Sequence, residues 1–294
     1  MANLKIMPYL RLFRIPALFT AMADIICGYL IANPEWGKGI SSLFFLLISS
    51  GSLYTSGMVF NDYFDYEVDK VENPHRPLPA GDISRIQALV IGIIFLLAGV
   101  ASAFYVGERS FYISILLVIA ILLYNSGTKK FFILGPLNMG ICRFLNMFLG
   151  MSTALQEVGW KIIFPALLMA YIAGVTILSR IESSGGKRGT VLMAFLPIGA
   201  LIIIMGVFSI KGYFMSKAPA FFLVPFALLI ALNFKKLYVH PDANNIKFSV
   251  KTMILSVILL DALFLSGFKG FNSGLLLVLL LVPSIILSRL IYIT

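Results

Sequence analysis

Asn61, Asp62, Asp65 and Asp69 follow one another at i, i+1, i+4 and i+8 in the stretch NDYFDYEVD. If a helix continues past Phe60, these positions cover one face over about two turns. Carboxylates brought together repel one another unless a cation binds among them. Hard oxygen ligands suit Mg²⁺, which keeps several waters and commonly bridges to a phosphate. No His/Cys set suited to zinc accompanies them; His75, between Pro74 and Pro77, reads as a loop residue. Five of the chain's 13 acidic residues (Asp62, Asp65, Glu67, Asp69 and Glu72) crowd this stretch. The alternative is a solvated loop whose acids pair with neighbouring Lys and Arg.

Basic residues follow in a matching order. Arg76 stands in RPLPAG, where a proline-set turn fixes its direction. Lys129 and Lys130 come next, then Arg180, Lys187 and Arg188. Acids for Mg²⁺ ringed by Arg and Lys are what a diphosphate needs: the metal takes bridging oxygens and the basic groups take the remaining charge.

The elements that must position these residues are membrane helices. Of 294 residues 60% are hydrophobic and only 12% charged, with a mean hydropathy of +0.96, far more apolar than a soluble domain. Apolar stretches run near 14–32, 40–60, 85–106, 111–124, 132–155, 161–179, 190–210, 218–234, 249–268 and 272–292. The length needed to span a bilayer makes these nine or ten helices, with 111–124 short and the last two a tight pair. The fold class expected is therefore an all-α polytopic bundle, a single domain over 1–294. Continuous apolar runs exclude the short alternating segments of a β-barrel. The N-terminus lacks a small-residue cleavage site, so the first apolar segment is expected to stay.

With ten helices, Lys38, Arg109, Lys161, Lys211, Lys217 and Lys269 fall on one side, and every other basic residue except Arg143 falls on the opposite side. The positive-inside rule then puts both termini and the acidic stretch in the cytoplasm, with a bacterial inner membrane as the expected location. The net charge of +10 reads as topology and contact with membrane lipid headgroups; no nucleic-acid-binding signature accompanies it. Cys27 and Cys142 form neither a disulfide framework nor a zinc spacing.

On these residues the chain resembles the UbiA superfamily of intramembrane prenyltransferases. The family's first aspartate-rich motif, NDxxDxxxD, matches Asn61, Asp62, Asp65 and Asp69. The arginine–proline turn matches Arg76 to Gly81, and the Tyr-and-Lys element of the next loop looks like Tyr124 and Lys129. LRLFRIPALFTAMADIICG is similar to the first helix of the family, including Arg14 and Pro16. GPLNMGICRFLNMFLG, LSRIESSGGKRG and the terminal SRLIYIT resemble the EboC-like branch.

The resemblance implies nine helices around a cavity that opens to the cytoplasm and holds an isoprenoid diphosphate through Mg²⁺, with the tail in an apolar tunnel. The allylic C–O bond ionises, and a lipophilic acceptor captures the cation. Asp62 and Asp65 are the implied principal metal ligands, with Asn61 and Asp69 supporting. Arg76, Lys129 and Arg180 are implied to hold diphosphate, with Arg14 and Tyr124 in the substrate site.

The chain departs from the pattern at the family's second acidic motif. SRIESSGGKRGT carries only Glu182, with Gly185, Gly186, Lys187 and Arg188 in place of the rest. One metal with Arg180, Lys187 and Arg188 taking phosphate charge is one expectation; an altered or lost activity is the other. Arg143 and Asn146 stand three apart inside the fifth span, where a charge is expensive and functional by default. Arg143 could reach a diphosphate or an acceptor acid, or form a structural lock with Asp24 or Asp261. Gly28, Gly140 and Gly150 read as close-packing residues. The rival function is a carrier that moves a lipid or anionic solute without chemistry; a membrane scaffold ranks behind it.

Overall fold

The computed structural model describes residues 2–33, 39–182, 185–289 and 291, with side chains from residue 6 onward. Lys38, the side chain of Lys5, Ser183, Ser184 and the close of SRLIYIT lie outside the described residues. The described chain is all helix, with no strand among the described residues. The helices are α1 (Ala2–Leu12), α2 (Ile15–Ala32), α3 (Ile40–Phe64), α4 (Tyr66–Glu72), α5 (Arg85–Val106), α6 (Glu108–Ser126) and α7 (Leu134–Met151). They continue with α8 (Ile163–Ser179), α9 (Arg188–Lys211), α10 (Pro219–Val239), α11 (Ala243–Leu255), α12 (Val257–Lys269), α13 (Phe271–Val278) and α14 (Leu281–Leu287).

Eight segments among the described residues are long and apolar enough to cross a bilayer. Their outward faces carry large apolar side chains such as Leu196, Ile203 and Ile210, as lipid contact requires. The stretch expected to be short, 111–124, belongs to a full-length helix of 19 residues. Helix α7 is as long as α2 but holds Asn138, Arg143 and Asn146, so its composition does not read as a span. It packs between α2, α6 and α8. Backbone contact there is very close. A Cβ on Gly28 would stand 2.2 Å from the Met147 carbonyl oxygen, on Gly150 2.5 Å from that of Ile25, and on Gly140 2.7 Å from that of Met169. These glycines let α7 touch α2 and α8 backbone to backbone.

The last apolar pair is broken twice. Between α11 and α12, Ser256 donates to the Met253 carbonyl, and so does the buried Tyr171 hydroxyl, which also meets Ser256 at 2.7 Å. The break between α13 and α14 falls at Leu279–Leu280, just ahead of Pro283 in the first turn of α14, which lacks the N–H that would continue the ladder. Helix α14 rests against α2, where the Ser284 hydroxyl donates to the Pro16 carbonyl.

The cap of α5 anchors the turn before it. Ser84 accepts from the Gln87 backbone while the Gln87 side chain accepts from the Ser84 N–H, a reciprocal cap worth about 1 kcal/mol. Leu78 and Ile83 sink into a small core with Leu12, Val59 and Ala88. The RPLPAG turn is therefore pinned by two buried side chains.

Candidate active site

One cavity of about 510 Å³ opens between the helices. Its mouth is lined by Arg14, Asn61, Arg76, Glu182 and Lys247; its inner wall includes Tyr54, Tyr124, Arg143 and Asn146. Apolar groups such as Leu53, Leu117, Ile121, Ile172 and Ile254 fill the rest.

The acidic motif reaches the mouth because α3 runs four residues beyond the apolar stretch, to Phe64. Asp62 is fully buried. Its Oδ1 accepts from Arg14 at 3.2 Å and lies 3.5 Å from Arg76. Its Oδ2 is buried with no hydrogen-bond partner. Asp65 sits where α3 hands over to α4, and Lys129 Nζ stands 2.6 Å from its carboxylate. The same ammonium donates to Asn61 Oδ1 at 3.4 Å. Asp69 is also buried, but it is taken up by Arg76 at 2.6 Å and by the Asn73 amide at 2.9 Å. Its carboxylate thus aims Arg76 at Asp62. Glu67 points away, highly exposed, and pairs with Lys70 and Arg85. A hydrogen bond from Lys70 to Glu67 holds that ammonium above the usual lysine range. The acidic stretch therefore has both characters: a solvated outer edge, and buried inner acids facing cations.

Arg14 has φ 47°, the sole positive φ outside glycine among the described residues. A side chain in that region costs about 1–2 kcal/mol. The strained residue directs the guanidinium to Asp62, just ahead of a helix that begins Ile15–Pro16, where proline suits a first turn.

The second basic set divides. Arg180 spends its donors on the carbonyls of Lys129 (2.6 Å), Lys130 (3.1 Å) and Phe131 (3.2 Å). It therefore braces the loop that carries Lys129 rather than lining the cavity. Glu182 lines the mouth. Lys187 stands just ahead of α9 beside Gly185 and Gly186 in a separate shallow recess, and Arg188 lies 5.4 Å over the Tyr238 ring. The structure does not bring these last two to the acidic motif.

Deep in the cavity, Arg143 donates to Asp24 at 2.8 Å and to Thr20 at 2.7 Å. Asn146 donates to Asp24 and to the Ala21 carbonyl, and accepts from Ser50 at 2.7 Å. Asp261 of α12 is also fully buried, and neither of its carboxylate oxygens has a hydrogen-bond partner. The lock between Arg143 and Asp24 is present, and Arg143 still faces the cavity.

The oxygens at the mouth suit a single hard cation. Asp62 keeps an unpartnered buried oxygen, Asp65 and Asn61 already share one cation in Lys129, and the donors are carboxylate and amide oxygens. No group of three or more acids, His or Cys close enough to hold a metal forms among the described residues. One or two carboxylates completed by phosphate oxygens is the usual way Mg²⁺ is bound.

The pattern that defines the UbiA prenyltransferase family matches residues 21–248. The chain belongs to this family. A curated relative, the digeranylgeranylglyceryl phosphate synthase of Sulfurisphaera tokodaii, is 30% identical over 159 residues, covering 54% of this chain and 56% of that protein. The match thus spans little more than half the relative's length. A solved digeranylgeranylglyceryl phosphate synthase superposes with a TM-score of 0.67 at 21% identity, covering 91% of this chain and 99% of that one. A UbiA homologue from Archaeoglobus fulgidus, solved with DMAPP and Mg²⁺, gives 0.55 at 16% identity over 92% of this chain and 98% of that one. At these identities the two structures show a shared UbiA fold: a multi-pass helical membrane protein.

The UbiA motif at Asn61–Asp69 is readable as a string, but two residues of the cavity are not. Tyr54 and Asn125 both line it, and Asn125 Oδ1 is buried without a partner. Tyr54 stands seven residues before Asn61, two helical turns down the same face of α3. That interval was the signal available in the sequence.

Proposed function

We propose that this chain transfers a prenyl group from an isoprenoid diphosphate to a lipophilic acceptor inside the membrane, with Mg²⁺ as cofactor. The observation that carries the reading is one cavity with a polar mouth and an apolar body. At the mouth, Asp62 keeps a buried unpartnered oxygen beside Arg14 and Arg76, and Lys129 bridges Asp65 and Asn61. The names of the curated relatives and the DMAPP and Mg²⁺ bound by the A. fulgidus homologue support the donor class.

Asp62, Asp65 and Asn61 would hold the metal, which supplies charge neutralisation to the departing diphosphate. Arg14 and Arg76 donate to the diphosphate oxygens as negative charge grows on them, the pre-aimed stabilisation that lowers an ionisation barrier. With Asp65 holding the metal, Lys129, now 2.6 Å from that carboxylate, would donate to the diphosphate instead. Asp69 supports Arg76, and Arg180 supports Lys129. Tyr124 and the apolar wall take the allylic end of the tail, and Glu182 closes the rim. Lys187 and Arg188 fit a headgroup or loop role beside the site. The whole chain acts as one domain, its mouth facing the cytoplasm by the distribution of basic residues. The EboC-like stretches around Arg143 and Glu182 support that branch within the family.

The deciding experiment is binding of geranylgeranyl diphosphate in detergent, with and without Mg²⁺, to wild type and Asp65→Ala. Binding that requires Mg²⁺ and is lost in the variant supports the transferase. Wild-type protein indifferent to both metal and donor would favour the carrier.

A further inference from the structure

The inner end of the cavity has a chemistry of its own. Arg143 projects there from α7 with two of its five N–H groups committed, to Asp24 and Thr20. The other donors have no protein partner among the described residues. Tyr54 lines the same space, within electrostatic reach of Arg143, and its hydroxyl makes no hydrogen bond among the described residues. Asn146, by contrast, is fully engaged by Ser50, Ala21 and Asp24, so it holds the floor and has nothing left to offer a ligand.

Charge decides what this floor accepts. Asp24 lies 2.8 Å from Arg143 and is itself fully buried, so it compensates the guanidinium one for one. Asp261, fully buried on α12 with neither carboxylate oxygen hydrogen-bonded, can add only negative charge. An incoming carboxylate or phosphate would be stripped of water and meet no net positive charge, which is costly in a low-dielectric site. An uncharged oxygen loses far less on burial and recovers it through the open donors.

Distance fixes the size. Tyr54 lies seven residues below Asn61 on α3, about 10 Å along the axis at ~1.5 Å per residue. A diphosphate at the mouth leaves room above Tyr54 for one ring or a three-carbon polyol.

We infer that Tyr54 and Arg143 form an acceptor subsite at the cavity floor for a small uncharged oxygen head group, a phenol or alcohol, and that it discriminates against carboxylates and phosphates. This rests on the prenyl-transfer reading for the word acceptor, but the subsite can be tested without donor.

The test is the affinity of the detergent-solubilised full chain for 4-ethylphenol and 4-ethylbenzoate, matched in ring and tail. Wild type is expected to bind the phenol at least about tenfold more tightly, a preference of one buried charge against one hydrogen bond. Tyr54→Phe keeps the ring and should weaken phenol binding about three- to tenfold, the worth of one hydrogen bond, with geranylgeranyl diphosphate binding unchanged. The double variant Asp24→Asn, Asp261→Asn leaves Arg143 uncompensated and should swing the preference towards benzoate. Benzoate binding as well as phenol in wild type, or a phenol affinity indifferent to Tyr54→Phe, overturns the inference. A Tyr54-dependent phenol preference in a protein that ignores the diphosphate would uphold the subsite while sinking the transferase.

Discussion

Lys129 Nζ lies 2.6 Å from the Asp65 carboxylate, joining the loop after α6 to the end of α3. The same ammonium touches Asn61. A cation is thus already seated on two of the oxygen donors that a metal would need. Under the proposed function, Lys129 would compete with the metal for Asp65 before donor binds and hold diphosphate afterwards.

Lys129→Gln separates these two roles. Transfer should fall by about a hundredfold or more, on the scale of losing one charge-stabilising donor. Mn²⁺ affinity in the absence of donor, read by electron paramagnetic resonance, should rise, because Asp65 is released. Unchanged Mn²⁺ affinity would mean that Lys129 and metal do not share the carboxylate.

Asp69 and Asp62 should differ in kind. Asp69 acts through Arg76, held at 2.6 Å, so Asp69→Asn should raise the KM for donor and leave the Mg²⁺ requirement in place. Asp62→Asn should change the metal dependence itself. A metal titration of activity in both variants checks this; identical shifts in the two would refute the division.

Arg180 braces three successive carbonyls of the Lys129 loop. Arg180→Ala should speed amide hydrogen exchange across residues 128–133 and weaken donor binding about tenfold, by loosening Lys129. A loss of donor affinity with exchange in that loop unchanged would assign Arg180 to the substrate directly.

The buried lock is a stability matter. Arg143→Met removes the cation beside fully buried Asp24, and breaking such a pair one-sidedly costs about 3–5 kcal/mol. Adding Asp24→Asn should restore most of the lost thermal stability. A double variant no more stable than the single one would show that the charge pair is not what Arg143 protects.

Gly150→Ala would set a Cβ 2.5 Å from the Ile25 carbonyl oxygen. Forcing α7 off α2 should cost about 1–3 kcal/mol, as overpacking does. Gly199→Ala on α9, where nothing lies within 4 Å, is the control and should be neutral or slightly stabilising. The midpoints of thermal unfolding in detergent decide it.

Composition alone determined the membrane bundle, because apolar runs of span length have nowhere else to go. The spacing of Asn61, Asp62, Asp65 and Asp69 likewise determined one polar face, since helix geometry is local. What lay beyond local geometry was decided by packing. The four motif residues share a face, yet Asp69 turns to Arg76 while Asp62 keeps an open oxygen; that split depends on where a turn anchored by Leu78 and Ile83 delivers Arg76. Arg180, Lys187 and Arg188 look equivalent as a run of positive charge, but one braces a loop and two lie beside the site. Helix α7 was legible as a helix, whereas its place at the centre depends on glycine contacts with α2 and α8. Tyr54 had no signal but its interval from Asn61. Sequence records which side chains share an element; which groups face one cavity, and which are neutralised before a ligand arrives, is set by contacts between different elements, as between Lys129 and Asp65 or Arg143 and Asp24.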